Sequence, residues 1–275
     1  MDYKTIVVRK EDLIALVTLN RPEAANTINF DMKNELMRLL SELSHDDETR
    51  VLVITGAGNM FSAGGDFRPR HVREKTVSVK EAEDMQPEYD DVKKGNVLPA
   101  VIELTLALQR FGKPTIAMVN GPAIGQGFDV ALACDLRTGS QQARFMMGFV
   151  NMGLPPVTGG AWLLPRVIGT GLAMEYIYTG DWCTAEEAYR IGLLNRLAAP
   201  EKLEEETMKL AGRIAQGAPI AHRLAKEEVR RGQDMDLESS LAFSTTCAVI
   251  AGATDDHQEG IKALAEKRRP QFKGR

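Results

Sequence analysis

The sequence predicts an α/β fold in which strands and helices alternate over residues 1–199 and helices alone fill 200–275. Three observations carry this. Short apolar runs at 51–56 and 115–119 have strand composition and end at or beside glycine. The run at 128–134 follows Gly125 and Gly127 and has helical composition. From Pro200 onward, apolar residues recur at three- and four-residue spacing with no strand between them. No low-complexity segment or linker parts the two regions.

The chain has 275 residues, 44% hydrophobic and 26% charged, the balance of a globular protein with a substantial core. Its 34 basic and 38 acidic side chains leave a net charge of −4. Such a chain has no overall attraction to nucleic acid or to an anionic membrane. It also lacks the basic-aromatic patch of an RNA binder. No apolar run approaches the roughly 20 residues that span a bilayer. The N-terminus, MDYKTIVVRKED, has no signal-peptide core, so the expected location is the cytoplasm. Cys134, Cys183 and Cys247 lie far apart without C-x-x-C spacing, which argues against a disulfide framework and a zinc site.

In chain order, 3–8 and 13–19 alternate as two strands, with a turn at 9–12. Asp31 is the expected N-cap of a helix to about Leu43, on the spacing of Leu36, Leu39, Leu40 and Leu43. The next strand is 51–56. The stretch 68–99 is long, charged and aperiodic, and is expected to be either a solvated loop or a lid over a pocket. A helix at 101–108 leads into the strand at 115–119. After Asp135 a short polar segment follows, then an apolar stretch through Phe145, Met147 and Phe149. Helices are expected from Thr158 to 167 and over 172–178. Thr184 with Glu187 forms a capping box, and 193–198 is a last strand. The C-terminal helices fall near 201–215, 218–231, 236–251 and 256–267.

The chain is organised around 113–166. A buried strand, a glycine-rich turn (Gly125-Gln126-Gly127) and a helix start direct backbone N–H groups at one point, which suits an anion or a developing oxyanion. Asp129 lies about one turn into that helix. The same device occurs earlier: 51–56 ends in glycine and leads to Ala63-Gly64-Gly65-Asp66, with an Asp three residues on, as in Gln126-Gly127-Phe128-Asp129. Two such loops side by side make a two-donor oxyanion hole. Val130 stands where a dinucleotide fingerprint requires its third glycine, and no G-K-[ST] ends a P-loop. G-x-S-x-G and H-E-x-x-H are also missing, and the four histidines are scattered. The residues alone therefore give an oxyanion site with one nearby carboxylate, chemistry that suits a thioester carbonyl.

NRPEAANTIN (20–29), VLVITGAGNMFSAGGD (51–66), KPTIAMVNGPAIGQGFDVALACD (113–135), MGLPPVTGGAWLLPRVIG (152–169) and ATDDHQEGIKALAEKRRPQF (253–272) together resemble the enoyl-CoA hydratase/isomerase (crotonase) family. GFDVALACDLR looks like the dienoyl-CoA isomerases. The tail and GGAWLLPR look like the phenylacetate-pathway CoA-ester isomerases. The resemblance implies a crotonase-like spiral of repeated ββα units with a C-terminal all-helical trimerisation region, assembling as a homotrimer or a hexamer. It implies an acyl-CoA substrate, with coenzyme A part of the substrate and no separate cofactor or metal.

It also implies roles. The N–H groups of Ala63 and Gln126 match the oxyanion pair, with Gln126 where glycine is common. Ala24, Ala25, Asp66 and Phe67 match the region that holds the CoA adenine and pantetheine. Lys267 matches a basic residue near the CoA phosphates, serving its own or a neighbouring subunit. Asp129 matches the first acid/base position. The second carries Phe149, and a third, used by some isomerases, carries Val157. Two of three carboxylate sites are thus apolar, which counts against ordinary hydration. The expected reaction is double-bond isomerisation through an enolate. Hydration is the alternative, followed by thioester hydrolysis or decarboxylation, and by a non-catalytic CoA-binding subunit.

Overall fold

Ile6–Glu11 (β1) and Ile14–Leu19 (β2) form an antiparallel hairpin in the computed structural model, which describes residues 3–66 and 99–275. The turn is Asp12-Leu13, both at positive φ, two residues tighter than the expected 9–12. Arg9, Lys10 and Glu11 continue the strand because β1 is a sheet edge and their side chains face solvent. Helix α1, Phe30–Ser44, buries Leu36, Leu39, Leu40 and Leu43 on one stripe. Its N-cap is Asn29, not Asp31: Asn29 is extended and its side chain accepts the Met32 N–H at 2.9 Å. Asp31 sits instead in the first turn, where its charge favours the helix dipole.

The other strands are Val51–Gly56 (β3), Thr115–Val119 (β4), Pro122–Ile124 (β5), Leu136–Ser140 (β6), Arg144–Met146 (β7), Cys183–Thr184 (β8) and Arg196–Ala198 (β9). Between them run helices Pro99–Arg110 (α2), Gln126–Ala133 (α3), Gly160–Ile168 (α4), Thr170–Thr179 (α5) and Ala185–Arg190 (α6). Thr184 caps α6 as its motif predicts, accepting the Glu187 N–H at 3.3 Å. The main sheet has the order β1-β2-β3-β4-β6-β9 and is parallel beyond its first hairpin; β5, β7 and β8 form a second sheet.

Strand β6 corrects the polar segment expected after Asp135. Leu-Arg-Thr-Gly-Ser is a central strand because its polar groups are satisfied inside. The buried Arg137 guanidinium donates from Nε to Leu193 O at 2.8 Å and from Nη1 to Cys134 O at 3.0 Å. Burial of a charge is tolerable only with such partners.

One face of the sheet shares a core with α1 to α5 around Leu36, Leu52, Ile54, Phe61, Leu104 and Phe128. The other face is closed by α7, Leu203–Ala215, whose Leu203, Ala211 and Ala215 pack on Ile14, Leu16, Val51, Val53, Ile116 and Met118. From Pro200 onward the described elements are helices, and the helix Leu203–Ala215 is part of the α/β core in packing terms. Helices Pro219–Gly232 (α8), Leu237–Gly252 (α9) and Asp255–Ala265 (α10) follow, with Asp236 and Thr254 as side-chain caps of the last two. They leave Leu237, Leu241, Val249, Ile261 and Leu264 exposed. Among the described residues, no helix is long and apolar enough to cross a membrane.

Asn26 ties the chain after β2 to the chain after β3. It is buried, donates to Ala57 O (2.9 Å) and Met60 O (2.8 Å), and accepts the Arg21 N–H at 3.0 Å. Asn26→Ala leaves two carbonyls and one N–H unpaired inside the protein. Urea unfolding is expected to show a loss of about 3 kcal/mol or more; a change below about 0.5 kcal/mol contradicts this role.

Candidate active site

The two glycine-rich loops meet. Beyond β3 the chain returns along 61–66, where the Phe61 and Ser62 N–H groups donate to Pro122 O at 3.1 and 3.2 Å. The Ile124 N–H donates back to Ser62 O at 2.9 Å. Gly127 allows this approach: a Cβ there would stand 2.5 Å from Ser62 O, closer than atoms can come. The 62–64 backbone is thereby set against the N-terminus of α3. A Cβ on Gly64 would lie 3.3 Å from the Gln126 nitrogen, so Ala63 and Gln126 are brought to one place.

The expectation of two exposed donors needs one correction. The Ala63 N–H donates to Ala25 O at 2.9 Å. The cause is a short parallel pairing of 25–28 with 63–66, continued by Ile28 N–H to Gly64 O (2.7 Å) and Asp66 N–H to Ile28 O (3.2 Å). An oxyanion at Ala63 must share this N–H with Ala25 or take it over. Gln126 opens α3, and its side chain is buried.

Ala24 and Ala25 sit half-buried beside this pairing, Ala25 at positive φ. Asp66 faces Arg21 across 3.5 Å, and that guanidinium also donates to Thr27 O at 2.7 Å. These residues lie together beside the pairing of 25–28 with 63–66. Lys267 lies beyond the end of α10, exposed and at positive φ, and its side chain makes no ion pair or hydrogen bond among the described residues. Phe67 lies outside the described residues, as does the 68–99 loop apart from Pro99, which opens α2.

Asp129 is wholly buried in the first turn of α3. The Thr158 hydroxyl donates to its Oδ2. Oδ1 has no hydrogen-bond partner among the described residues and faces the backbone of Gly160, the first residue of α4. A Cβ on Gly160 would stand 2.5 Å from Oδ1 and 2.5 Å from the Met147 methyl, so glycine is what admits the carboxyl and the thioether here. Burial pushes the Asp129 carboxyl up to about 7, against the lowering influence of the Thr158 hydroxyl and the Gly160 N–H. No second acid is among the groups that shift it.

Phe149 is fully buried, with its ring edge 3.6 Å from where a Cβ on Gly125 would lie, directly under the start of α3. Val157 is half-buried against the same core. The sequence reading missed Thr158 and Thr105. Thr105, on α2, donates from its hydroxyl to Thr158 O at 2.6 Å. The only signal for Thr158 is a hydroxyl residue before two glycines, which reads as an ordinary helix start. Cys134 offers no competing nucleophile, since burial pushes its thiol up to about 12. Chemically, the site can hold an oxyanion on backbone N–H groups and exchange a proton with one desolvated carboxyl.

A family model described as enoyl-CoA hydratase/isomerase matches residues 9–275. A crotonyl-CoA hydratase of Syntrophomonas wolfei is 34% identical over 273 residues, covering 99% of each chain. A trans-2-decenoyl-[acyl-carrier-protein] isomerase of Streptococcus mutans is 32% identical over 286 residues, covering 100% of each. The crystal structure of an enoyl-CoA hydratase from Bacillus anthracis superposes with a TM-score of 0.84 at 32% identity, over 99% of this chain and 100% of that one.

The raised Asp129 carboxyl makes stability depend on pH. Its folded value, about 7, exceeds its ordinary value of 3.8, so the folded state prefers it protonated. The stability this gives is whole below about pH 4 and is lost as pH rises through about 7. Asp129→Asn removes the titration. Urea unfolding is expected to show wild type losing up to about 4 kcal/mol relative to the variant between pH 4 and 7, with no further change above about pH 8. A difference that stays constant over this range contradicts the assignment.

Proposed function

We propose that this chain, which belongs to the enoyl-CoA hydratase/isomerase family, shifts the double bond of an enoyl-CoA by a one-carboxylate proton shuttle. Membership makes it an enzyme acting on an enoyl thioester; identity alone does not choose the reaction. The relative named as a hydratase and the relative named as an isomerase are 34% and 32% identical to it.

In this reading the thioester oxygen lies against the N–H groups of Ala63 and Gln126, and Ala24, Ala25 and Asp66 flank the CoA. Phe67 and Lys267 complete the CoA contacts, Lys267 from its own or a neighbouring subunit. Electron withdrawal onto the oxygen acidifies the α-carbon. Asp129 takes the proton from C2 of a 3-enoyl thioester, leaving a dienolate. The same carboxyl returns the proton to C4, and the double bond then lies between C2 and C3. No atom is gained or lost. A carboxyl near pH 7 is matched to both halves of this exchange.

The observation that carries the reading is Asp129 standing alone among the described residues, with Phe149 and Val157 at the positions where the family resemblance expects further acids. Hydration needs a water held and deprotonated at the β-carbon. The Phe149 ring fills the space under the start of α3 and offers that water no acceptor. The apolar wall also shields a dienolate from solvent.

The test is product analysis by mass spectrometry with 2-enoyl-CoA and 3-enoyl-CoA. The expected result is a shifted double bond with no added oxygen, reduced at least about 100-fold in Asp129→Asn. Efficient formation of 3-hydroxyacyl-CoA, or full activity in Asp129→Asn, overturns the reading. The exposed apolar side chains on α9 and α10 support a homotrimer or a hexamer, since a monomer rarely leaves such faces uncovered. Sedimentation equilibrium at micromolar concentration is expected to give three or six chains; a monomer contradicts the assembly.

A further inference from the structure

We propose that Thr158 is the positioning residue of the shuttle: its hydroxyl holds Asp129 by Oδ2 and leaves Oδ1 as the oxygen that exchanges protons with the substrate. The inference rests on Asp129 being the base. It adds which oxygen acts and what fixes it.

The geometry has three parts. Thr158 is buried, and its hydroxyl has one proton, which it donates to Asp129 Oδ2. A hydroxyl donating to Oδ2 leaves that oxygen in the acceptor role, so the carboxyl's own proton belongs on Oδ1. Oδ1 is the buried oxygen beside Gly160, whose N–H lowers the carboxyl without reaching hydrogen-bond geometry to it. An acceptor so poorly satisfied is costly in a resting protein and is useful where a substrate proton is to be received.

Thr158 is itself held. Its carbonyl accepts the Thr105 hydroxyl at 2.6 Å, and the next residue, Gly159, lies at φ 120 with α2 directly behind it: a Cβ there would be 2.8 Å from the Thr105 methyl. The turn 158–160 is therefore locked to α2 on one side and to the Asp129 carboxyl on the other. This placement also explains the direction in which Thr158 acts on the base. Its hydrogen bond favours the charged carboxylate and opposes the upward push of burial.

Thr158→Val keeps the shape and removes the donor. The expected result is a fall in kcat of about tenfold or more, with KM within about threefold. The acidic midpoint of the pH–rate profile should move up by about one unit. Thr158→Ser should restore both. The carboxyl stretch of Asp129, assigned by its absence in Asp129→Asn and followed by difference infrared titration, should show the same upward shift without reference to activity. Should the valine variant not fold, Thr158→Ala read by the same two titrations replaces it.

An unchanged midpoint in a folded valine or alanine variant overturns the proposal. So does a serine variant as impaired as the valine one. The two readings separate cleanly. If Asp129→Asn abolishes turnover while Thr158→Val leaves the profile unmoved, the base stands and the positioning role falls. If Asp129→Asn keeps wild-type turnover, both fall.

Discussion

The contact on which the site depends is the one between the loop at 61–66 and the start of α3. Three backbone hydrogen bonds, from Phe61 and Ser62 to Pro122 O and from Ile124 to Ser62 O, pull two distant segments together. Gly127 lets them close. The arrangement of the candidate site follows from that closure. Ala63 and Gln126 are neighbours because of it. Asp129, three residues after Gln126, is carried inward on the same helix. A Cβ at 127 would stand 2.5 Å from Ser62 O, so the loops could not close as they do.

The closure has an energetic counterpart. A carboxyl taken out of water resists ionisation, and one hydroxyl with one backbone N–H does not reverse this for Asp129. The fold carries that cost in a core otherwise well supplied with apolar contacts, from Leu36 and Leu39 on α1 to Phe149 below α3. Such a local violation of the rules of burial is what sequence-to-structure consistency leads one to expect at a functional site. It gives a carboxyl that is uncharged or charged near neutral pH, as the proposed proton shuttle requires.

Much of this was legible from residues. Strands β3 and β4 announce themselves as apolar runs ending at or beside glycine. The helices after 200 follow their apolar spacing to within about two residues, and the glycines of 125–127 mark a backbone that must be approached closely. The pairing of the two glycine loops was inferred from their matching pattern alone. What was not legible has physical reasons. β6 reads as polar because the partners of Arg137 are carbonyls from elsewhere in the chain. Asn29 outranks Asp31 as a cap through backbone conformation, which composition does not reveal. The bond from Ala63 to Ala25 and the hold of Thr158 on Asp129 are tertiary, and single-sequence spacing is silent on both. The packing of α7 under the sheet likewise depends on which face the strands leave uncovered.

The central claim is that one carboxyl serves both carbons. A 3-enoyl-CoA carrying deuterium at C2 tests it directly. A single enclosed base that removes the label and returns it gives 2-enoyl-CoA with part of the deuterium at C4, measured by mass spectrometry over the first turnovers in ordinary water. Label at C4 above the level set by solvent exchange in an Asp129→Asn control is the predicted result. Product that carries only solvent hydrogen at C4 from the earliest turnover, together with oxygen added at C3, contradicts the account.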